Sequence, residues 1–138
     1  MSILETNKNT ILRRLAESIG ETPPNIEPND WAIYSDSGAD MACKDYIEET
    51  IGYFNASFLA NVTKLPEEVF VSIQEHHTSE TTINESIMAI VRATCGLDRL
   101  VEQAIKTDGR GHFLSSWDGE EIELGEIDGK EYFAYRIN

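Results

Sequence analysis

The sequence predicts an α+β fold with about five helices followed by a C-terminal three-stranded antiparallel β-meander. Apolar residues recur at helical spacing as far as Lys106, and the pattern then changes to the alternation typical of strands. Two Asp-Gly pairs, at 118–119 and 128–129, separate the alternating runs and indicate tight hairpin turns. We expect a single domain over 1–138, with 1–106 mainly helical and 107–138 forming the meander.

The first half of the helical region is predicted to contain two helices. The first covers 7–20, and a proline-rich connector over 21–30 follows it. Residues 30–38 fit either a short strand or a helical turn. A single apolar stripe then predicts one uninterrupted helix over 39–61, although Gly52 within it costs on the order of 1 kcal/mol relative to alanine.

Three further helices complete the helical region. They are predicted over 65–77, 81–96 and 97–106 from apolar residues that share one face. Thr82 and Glu85 have the spacing of a capping box, in which each side chain bonds the other's backbone N–H, so they are expected to begin the fourth helix.

The meander is predicted from three alternating segments, which cover residues 112–137. Its strands are expected at 112–117, 120–127 and 130–137. On the third strand, Phe133 and Tyr135 share one face, and Tyr132 and Ala134 share the other. One face must pack on helices, because an isolated three-stranded sheet is only marginally stable.

Charge is the most unusual property of the composition. The chain has 25 acidic and 11 basic residues, giving a net charge of −14. Such a surface repels nucleic-acid phosphates and anionic membranes, and it attracts basic protein surfaces. We therefore expect a basic host protein as partner, no direct nucleic-acid or membrane binding and no cofactor. Adaptation to a salty habitat would produce the same acidity.

The two cysteines, Cys43 and Cys95, lie in helical apolar patterns. Buried thiols in a reducing cytoplasm are favoured over a disulfide, and Cys95 lacks the local pattern of a catalytic nucleophile. The N-terminus has no apolar run typical of a signal peptide, and no segment has the length of a membrane span. A cytoplasmic location in the host cell is expected.

The segment "DGRGHF" has two interpretations. The favoured one is a turn from the fifth helix into the first strand, in which Gly109 ends the helix, Gly111 precedes the strand and the charges are solvated. In the alternative, Asp108 orients His112 as a general acid or base while Arg110 holds an anion. That arrangement would suit a small hydrolase or a nucleotide-handling enzyme.

No metal site is predicted. His76 and His77 are adjacent and point in different directions on a helix, whereas metal-binding helices place histidines three or four residues apart. The stretch "DSGAD" from Asp36 resembles the start of a calcium loop but lacks the glycine and glutamate required further on.

The meander carries six acidic candidates for binding. They are Glu120, Glu121, Glu123, Glu126, Asp128 and Glu131. They would form either a merely solvated face or an ordered acidic ridge, joined by helix acids such as Glu67, Glu68, Glu75, Asp98 and Glu102. A rigid row of carboxylates can imitate the phosphates of DNA and occupy a DNA-binding cleft.

The ending "DGRGHFLSSWDGEEIEL … YFAYRIN" resembles that of small proteins from bacteriophages and related mobile elements. The resemblance implies an accessory protein that occupies a host machine, in some strongly acidic cases as a DNA mimic. It carries over no catalytic residue and implies no activity.

Together these features predict an acidic, non-enzymatic, protein-binding accessory factor that antagonises a host nucleic-acid-binding or defence protein. The small enzyme described above is one alternative. The other is a structural or oligomeric accessory protein, in which Trp31, Trp117, Tyr132 and Tyr135 form an apolar homodimer face.

Overall fold

The computed structural model describes residues 3–76 and 79–138, with side chains described from residue 7 onward. Within these residues the fold is α+β, as predicted, with seven α-helices rather than about five and one three-stranded antiparallel sheet. The helices are α1 Ile3–Ile19, α2 Asp36–Thr50, α3 Ala56–Thr63, α4 Glu67–His76, α5 Glu80–Ala93, α6 Leu97–Asp108 and α7 Arg110–Leu114. The strands are β1 Trp31–Ser35, β2 Ile122–Ile127 and β3 Lys130–Arg136.

The chain divides into two compact units. The first combines the N-terminal segment up to Cys43 with Asp108–Asn138, and the second is Lys44–Thr107. The first unit therefore contains the whole sheet, and the second is helical. No helix of the described residues has both the length and the apolar character needed to cross a membrane.

The sheet has the strand order β1-β3-β2, so β3 is central and β1 and β2 are edges. The hairpin between β2 and β3 is confirmed, and its Asp128-Gly129 turn has φ of 54° and 82°, as a turn with two positive φ values requires. The third strand is β1, which pairs with β3 from Trp31 opposite Arg136 to Ser35 opposite Tyr132. The ambiguous segment 30–38 thus supplies a strand and then the start of α2.

The predicted first strand of the meander, 112–117, is wrong. Its first three residues end helix α7, and a turn follows. The hydroxyl of Ser115 lies 2.8 Å from the carboxylate of Asp118 and accepts the backbone N–H of Gly119 at 3.2 Å. This side chain stabilises a compact loop, so the Asp118-Gly119 pair is not a hairpin turn.

Both faces of the sheet are covered in the first unit. Helix α1 covers one face, with Leu15 and Ala16 buried against Leu124 and Ala134. On the other face, Phe133 and Tyr135 are buried with Ala39. The predicted division of β3 into two faces is therefore confirmed, and both faces bury apolar surface rather than the single face expected.

The predicted continuous helix over 39–61 is wrong, because it breaks at Gly52. Helix α2 ends at Thr50, and a new helix begins at Ala56 with Asn55 as its capping residue. A Cβ at Gly52 would lie 3.1 Å from the backbone nitrogen of Asn84, so any other residue would require α5 to shift by a few tenths of an ångström.

Side chains from two other helices satisfy the backbone at this break. Asn84 accepts the Gly52 N–H at 2.9 Å and donates to the Glu48 carbonyl at 2.7 Å. The Gln74 amide donates to the carbonyl oxygens of Gly52 at 3.1 Å and Phe54 at 2.7 Å. A buried chain break is stable only when such partners replace the lost helical hydrogen bonds.

The remaining helices follow the predictions with changes at their ends. Helix α4 ends at His76, and His77 lies outside the described residues. The predicted capping box of Thr82 and Glu85 is wrong, because the N-cap of α5 is Ser79, whose side chain accepts the Thr82 N–H at 3.4 Å. Helix α6 agrees with the predicted fifth helix and extends it to Asp108.

Candidate functional site

The six predicted binding acids lie along one hairpin and the segment that leads into it. Glu120 and Glu121 precede β2, Glu123 and Glu126 are on β2, Asp128 is in the turn and Glu131 is on β3. All six are exposed residues. They divide into one acid with a structural role and five that form no ion pair with a described residue.

Glu121 has the structural role. Its Oε1 accepts a hydrogen bond from Arg110 Nε at 2.7 Å and another from the hydroxyl of Tyr135. Its side chain is 32% exposed. This carboxylate is therefore committed to the fold, and we remove it from the set of acids that are free to meet a partner.

Arg110 is the centre of this cluster. It is the first residue of α7, and Gly109 before it has φ of 84°, which turns the chain between α6 and α7. Arg110 Nη1 lies 2.8 Å from Asp36 Oδ1 and 3.1 Å from Asp40 Oδ1. Its guanidinium also lies 4.5 Å from the centroid of the Phe133 ring. At 10% exposure, Arg110 is not the solvated charge that the turn interpretation predicted.

Asp36 and Asp40 stand one helical turn apart at the start of α2, so their carboxylates point to the same side. The sequence analysis missed this role, because it judged the pair only as calcium ligands. The i, i+4 spacing of acids at a helix start was the available signal. It did not specify which cation they would bind.

The cluster changes the proton affinity of its buried members. Burial lowers the pKa of Arg110, but hydrogen bonds to Glu121 and Asp36 outweigh it and hold the pKa above the ordinary value. Burial and the Glu121 carboxylate raise the pKa of Tyr135. Burial raises the pKa of the Cys43 thiol from 9.0 to about 12, with Arg110 partly opposing it. Cys43 is therefore a neutral thiol near pH 7 and a poor nucleophile.

The alternative catalytic set is not assembled. Asp108 and His112 are both exposed, and the His112 ring meets the edge of Phe113 with 5.0 Å between centroids. Arg110 instead bonds Asp36, Asp40 and Glu121. No hydrogen bond joins Asp108 to His112 within the described part of the chain, so Asp108 does not orient this imidazole as the alternative predicted.

The other five hairpin acids have no described lysine or arginine within 4.0 Å. Glu126 lies directly opposite Glu131 in the register of β2 and β3. A β-bulge between Glu123 and Gly125 shifts the alternation, which leaves both Glu123 and Glu126 exposed on the same strand. Lys130, at the start of β3, forms no described ion pair with these acids, so the hairpin carries a net negative charge.

These charges also have an ordinary structural use. Strand β2 is a sheet edge, and natural proteins place charges and bulges on edge strands to prevent pairing with another chain. Edge protection explains Glu123 and the bulge. It does not explain why Glu126 faces another acid, since like charges opposite each other are destabilising.

Helix acids of the second unit take several roles. Glu67, Glu68 and Glu75 line a shallow depression of about 240 Å³ on α4. Asp98 is paired with Lys44 at 2.9 Å, and this carboxylate raises the pKa of the lysine. No three His, Cys, Asp or Glu side chains of the described residues are arranged to hold a metal ion.

The predicted homodimer face lacks one of its four residues at the surface. Tyr135 is fully buried, and Tyr132 and Trp31 are half-buried against the α1 side of the sheet. Trp117, in contrast, is 61% exposed. Both cysteines are free thiols; Cys43 is buried as predicted, and Cys95 is half-buried.

A scan against protein-family models and searches of curated proteins and of solved structures find no match to this chain.

Proposed function

We propose that this chain is an acidic, non-enzymatic accessory protein of a bacteriophage or mobile element that binds a basic surface of a host nucleic-acid-binding or defence protein. The observation that carries the proposal is the β2–β3 hairpin. Five of its exposed acids lack a described basic partner, and two of them face each other across the strands. We call these five the hairpin acids: Glu120, Glu123, Glu126, Asp128 and Glu131.

The physical support is the cost that these charges impose on the isolated protein. Opposed like charges on a strand pair destabilise it by roughly 0.2–1 kcal/mol. A net charge of −14 adds self-repulsion throughout the chain. A basic partner surface relieves both costs on binding. The negative electrostatic potential of the hairpin therefore favours association with positive surfaces and opposes association with nucleic acid or anionic lipid.

Imitation of DNA is the specific mode that we propose. Carboxylates on a strand pair have fixed spacing, and a nucleic-acid-binding cleft is built to attract a fixed row of negative charge. Binding of this kind competes with DNA for the same cleft. It also weakens with salt, because the interacting charges lie at the surface.

The proposal is tested by capture from a host lysate with identification of the captured proteins. We expect basic nucleic-acid-binding proteins to be retained at about 50 mM salt and released at about 500 mM. The variant carries Glu123→Lys, Glu126→Lys and Glu131→Lys. Reversing both Glu126 and Glu131 keeps a like-charge pair across the strands, so the contribution of this pair to folding stability is retained. The sign of the electrostatic potential at the hairpin is reversed.

The matched control carries Glu17→Lys, Glu49→Lys and Glu85→Lys. These three acids are exposed on separate helices, without a described basic partner, and the change in net charge is the same. Loss of capture in the hairpin variant alone supports the proposal. Equal loss in both variants would show that only total charge matters, and unchanged capture in the hairpin variant would refute the role of the hairpin acids.

Mimicry is tested separately by competition. A captured protein is bound to a fluorescent duplex, and this chain is titrated in while anisotropy is measured. A fall in anisotropy indicates displacement of DNA from a shared cleft. Formation of a ternary complex, seen as a rise in anisotropy, would contradict mimicry while leaving partner binding intact.

A further inference from the structure

Two depressions adjoin Trp31 in the unit that contains the sheet. The first is apolar, has a volume of about 300 Å³ and is lined in part by Ile11, Leu12, Ile33 and Tyr132. The second is acidic, has a volume of about 430 Å³ and is lined in part by Glu21, Glu27, Asp30 and Arg136. Trp31 lines both, so one aromatic side chain is their common wall. We call the pair the Trp31 groove.

The fold fixes the composition of this groove. Trp31 and Ile33 alternate on the face of β1 that packs on α1, and Arg136 lies opposite Trp31 on β3. The Arg136 guanidinium is 4.4 Å from the Trp117 ring centroid and 5.8 Å from that of Trp31. Its Nε donates to the carbonyl of Asn138 at 2.9 Å. The arginine is thus held by aromatic and backbone contacts.

The three carboxylates of the acidic depression form no described ion pair, although Glu27 Oε1 also accepts the backbone N–H of Asn29 at 3.3 Å. Glu21, Glu27 and Asp30 have no described lysine or arginine within 4.0 Å. Three carboxylates and one guanidinium leave this depression with a net negative charge. A lysine or arginine side chain entering it would be attracted by the carboxylates rather than by the Trp31 ring at its wall, since that ring already has the Arg136 guanidinium 5.8 Å from its centroid.

The apolar depression has the opposite preference. Its side chains are largely aliphatic or aromatic, and Lys8 stands at its rim. An apolar side chain gains free energy there through burial, whereas a second cation would be repelled by Lys8. An occupant that fills both depressions must therefore carry its basic and apolar groups at separate positions.

We propose that the Trp31 groove docks a segment of a partner protein in which an apolar side chain lies a few residues from one or two lysines or arginines. This inference rests on the proposed function and names a docking site for its basic partner. A second copy of this chain is a poor occupant, because each copy carries −14. The exposed Trp117 at the Arg136 end has the residue type that dominates the energetics of protein interfaces.

The test uses synthetic peptides of about twelve residues on a Gly/Ser background. Each carries two lysines and one leucine, with separations of two to five residues. The chain has only two tryptophans, Trp31 and Trp117, so two indole N–H signals in a ¹H–¹⁵N spectrum report the occupancy of this region. We expect saturable shifts of the Trp31 indole for at least one separation.

Changes in the peptide test both depressions without disturbing the protein fold. Replacing the leucine by serine should weaken binding roughly ten-fold, as expected for one lost buried side chain. Replacing both lysines by glutamate should abolish it. In the protein, Glu21→Gln with Glu27→Gln should weaken binding roughly five-fold, whereas the control Glu17→Gln with Glu49→Gln should leave it within two-fold. A third variant, Glu123→Gln with Glu126→Gln, measures any contribution of the hairpin acids to peptide binding.

The outcomes separate this inference from the proposed function. Binding that is insensitive to the leucine and lost only in the Glu123/Glu126 variant would overturn the groove and leave the hairpin acids as the binding surface. The absence of a saturable Trp31 shift with every peptide would also overturn it, as would the same shift produced by raising the protein's own concentration. Failure of the lysate capture, with peptide binding retained, would instead count against the proposed function and leave the Trp31 groove as a peptide-binding site.

Discussion

Replacing Arg110 by methionine should strongly destabilise the unit that contains the sheet. Methionine is unbranched and apolar, although shorter, and it removes the cation that Asp36, Asp40 and Glu121 share. Arg110 is 10% exposed and connects α7, the start of α2 and the segment before β2. The variant therefore leaves three carboxylates close together with no positive charge between them.

The size of the effect follows from the exposure of each partner. Loss of one member of a buried ion pair costs about 3–5 kcal/mol, whereas exposed pairs contribute about 0–1 kcal/mol. Asp36 and Asp40 are 62% and 60% exposed and can be rehydrated, so their share is small. Glu121, at 32%, carries most of the cost. We expect a loss of about 3 kcal/mol, or roughly 10 °C in Tm.

The assay is urea unfolding followed by circular dichroism at pH 7. Arg110→Lys should lose roughly half as much, because an ammonium keeps the charge but not the planar fork that reaches several carboxylates. Arg13→Met is the matched control, since Arg13 is exposed and makes no described ion pair. It corrects for the added self-repulsion of a more negative chain. A loss below about 1 kcal/mol, or one equal to the control, would refute the structural role of Arg110.

Four further outcomes are expected. Asn84→Ala should cost about 2–3 kcal/mol in urea unfolding, because two backbone groups at the break after α2 lose their partner; Asn84→Asp should not restore the loss, because a carboxylate still accepts the Gly52 N–H but repels the Glu48 carbonyl. Glu126→Lys should stabilise the hairpin by roughly 0.5 kcal/mol or more, since it replaces a repulsive pair with Glu131 by an attractive one; a fall in Tm would contradict this reasoning. The pKa of Cys43 is raised from 9.0 to about 12 in the folded state, so between these pH values the folded protein keeps a thiol proton that the unfolded chain has lost. The contribution of this thiol to the free energy of unfolding is therefore complete below pH 9 and falls by about 1.4 kcal/mol per pH unit between those values. Cys43→Ala should flatten the pH profile of stability in this range. Gly111→Ala should cost roughly 1–3 kcal/mol, because its Cβ would lie within 3.0 Å of the backbone around Gly119.

Several features of the fold were predictable because their signals are local. Helices α1, α4 and α6 follow from apolar spacing, and the β2–β3 hairpin follows from the Asp128-Gly129 turn. The exposure of Glu123 was predictable from its alternation with Ile122 and Leu124, whereas Glu126 is exposed because the β-bulge shifts that alternation. The role of Glu121 was not predictable, since only the fold shows that Arg110 and Tyr135 occupy its carboxylate.

Other predictions failed where contacts distant in sequence decide the outcome. The apolar stripe over 39–61 continues through Gly52, yet the helix breaks there because Asn84, 32 residues away, bonds the backbone. The alternating pattern of 112–117 competes with a compact turn that Ser115 stabilises. A periodic pattern reports only which side chains seek burial and does not specify the partner that buries them.

By itself, the sequence determined the α+β class, the hairpin, the main helices and the net charge of −14. The tertiary structure alone decided that β1 completes the sheet beside β3, and that Asp36, 74 residues from Arg110, is its ion-pair partner. It also decided that Trp31 stands between an apolar and an acidic depression. Turn chemistry and side-chain period act over a few residues, whereas strand pairing and charge pairing depend on which distant segments the packed core brings together.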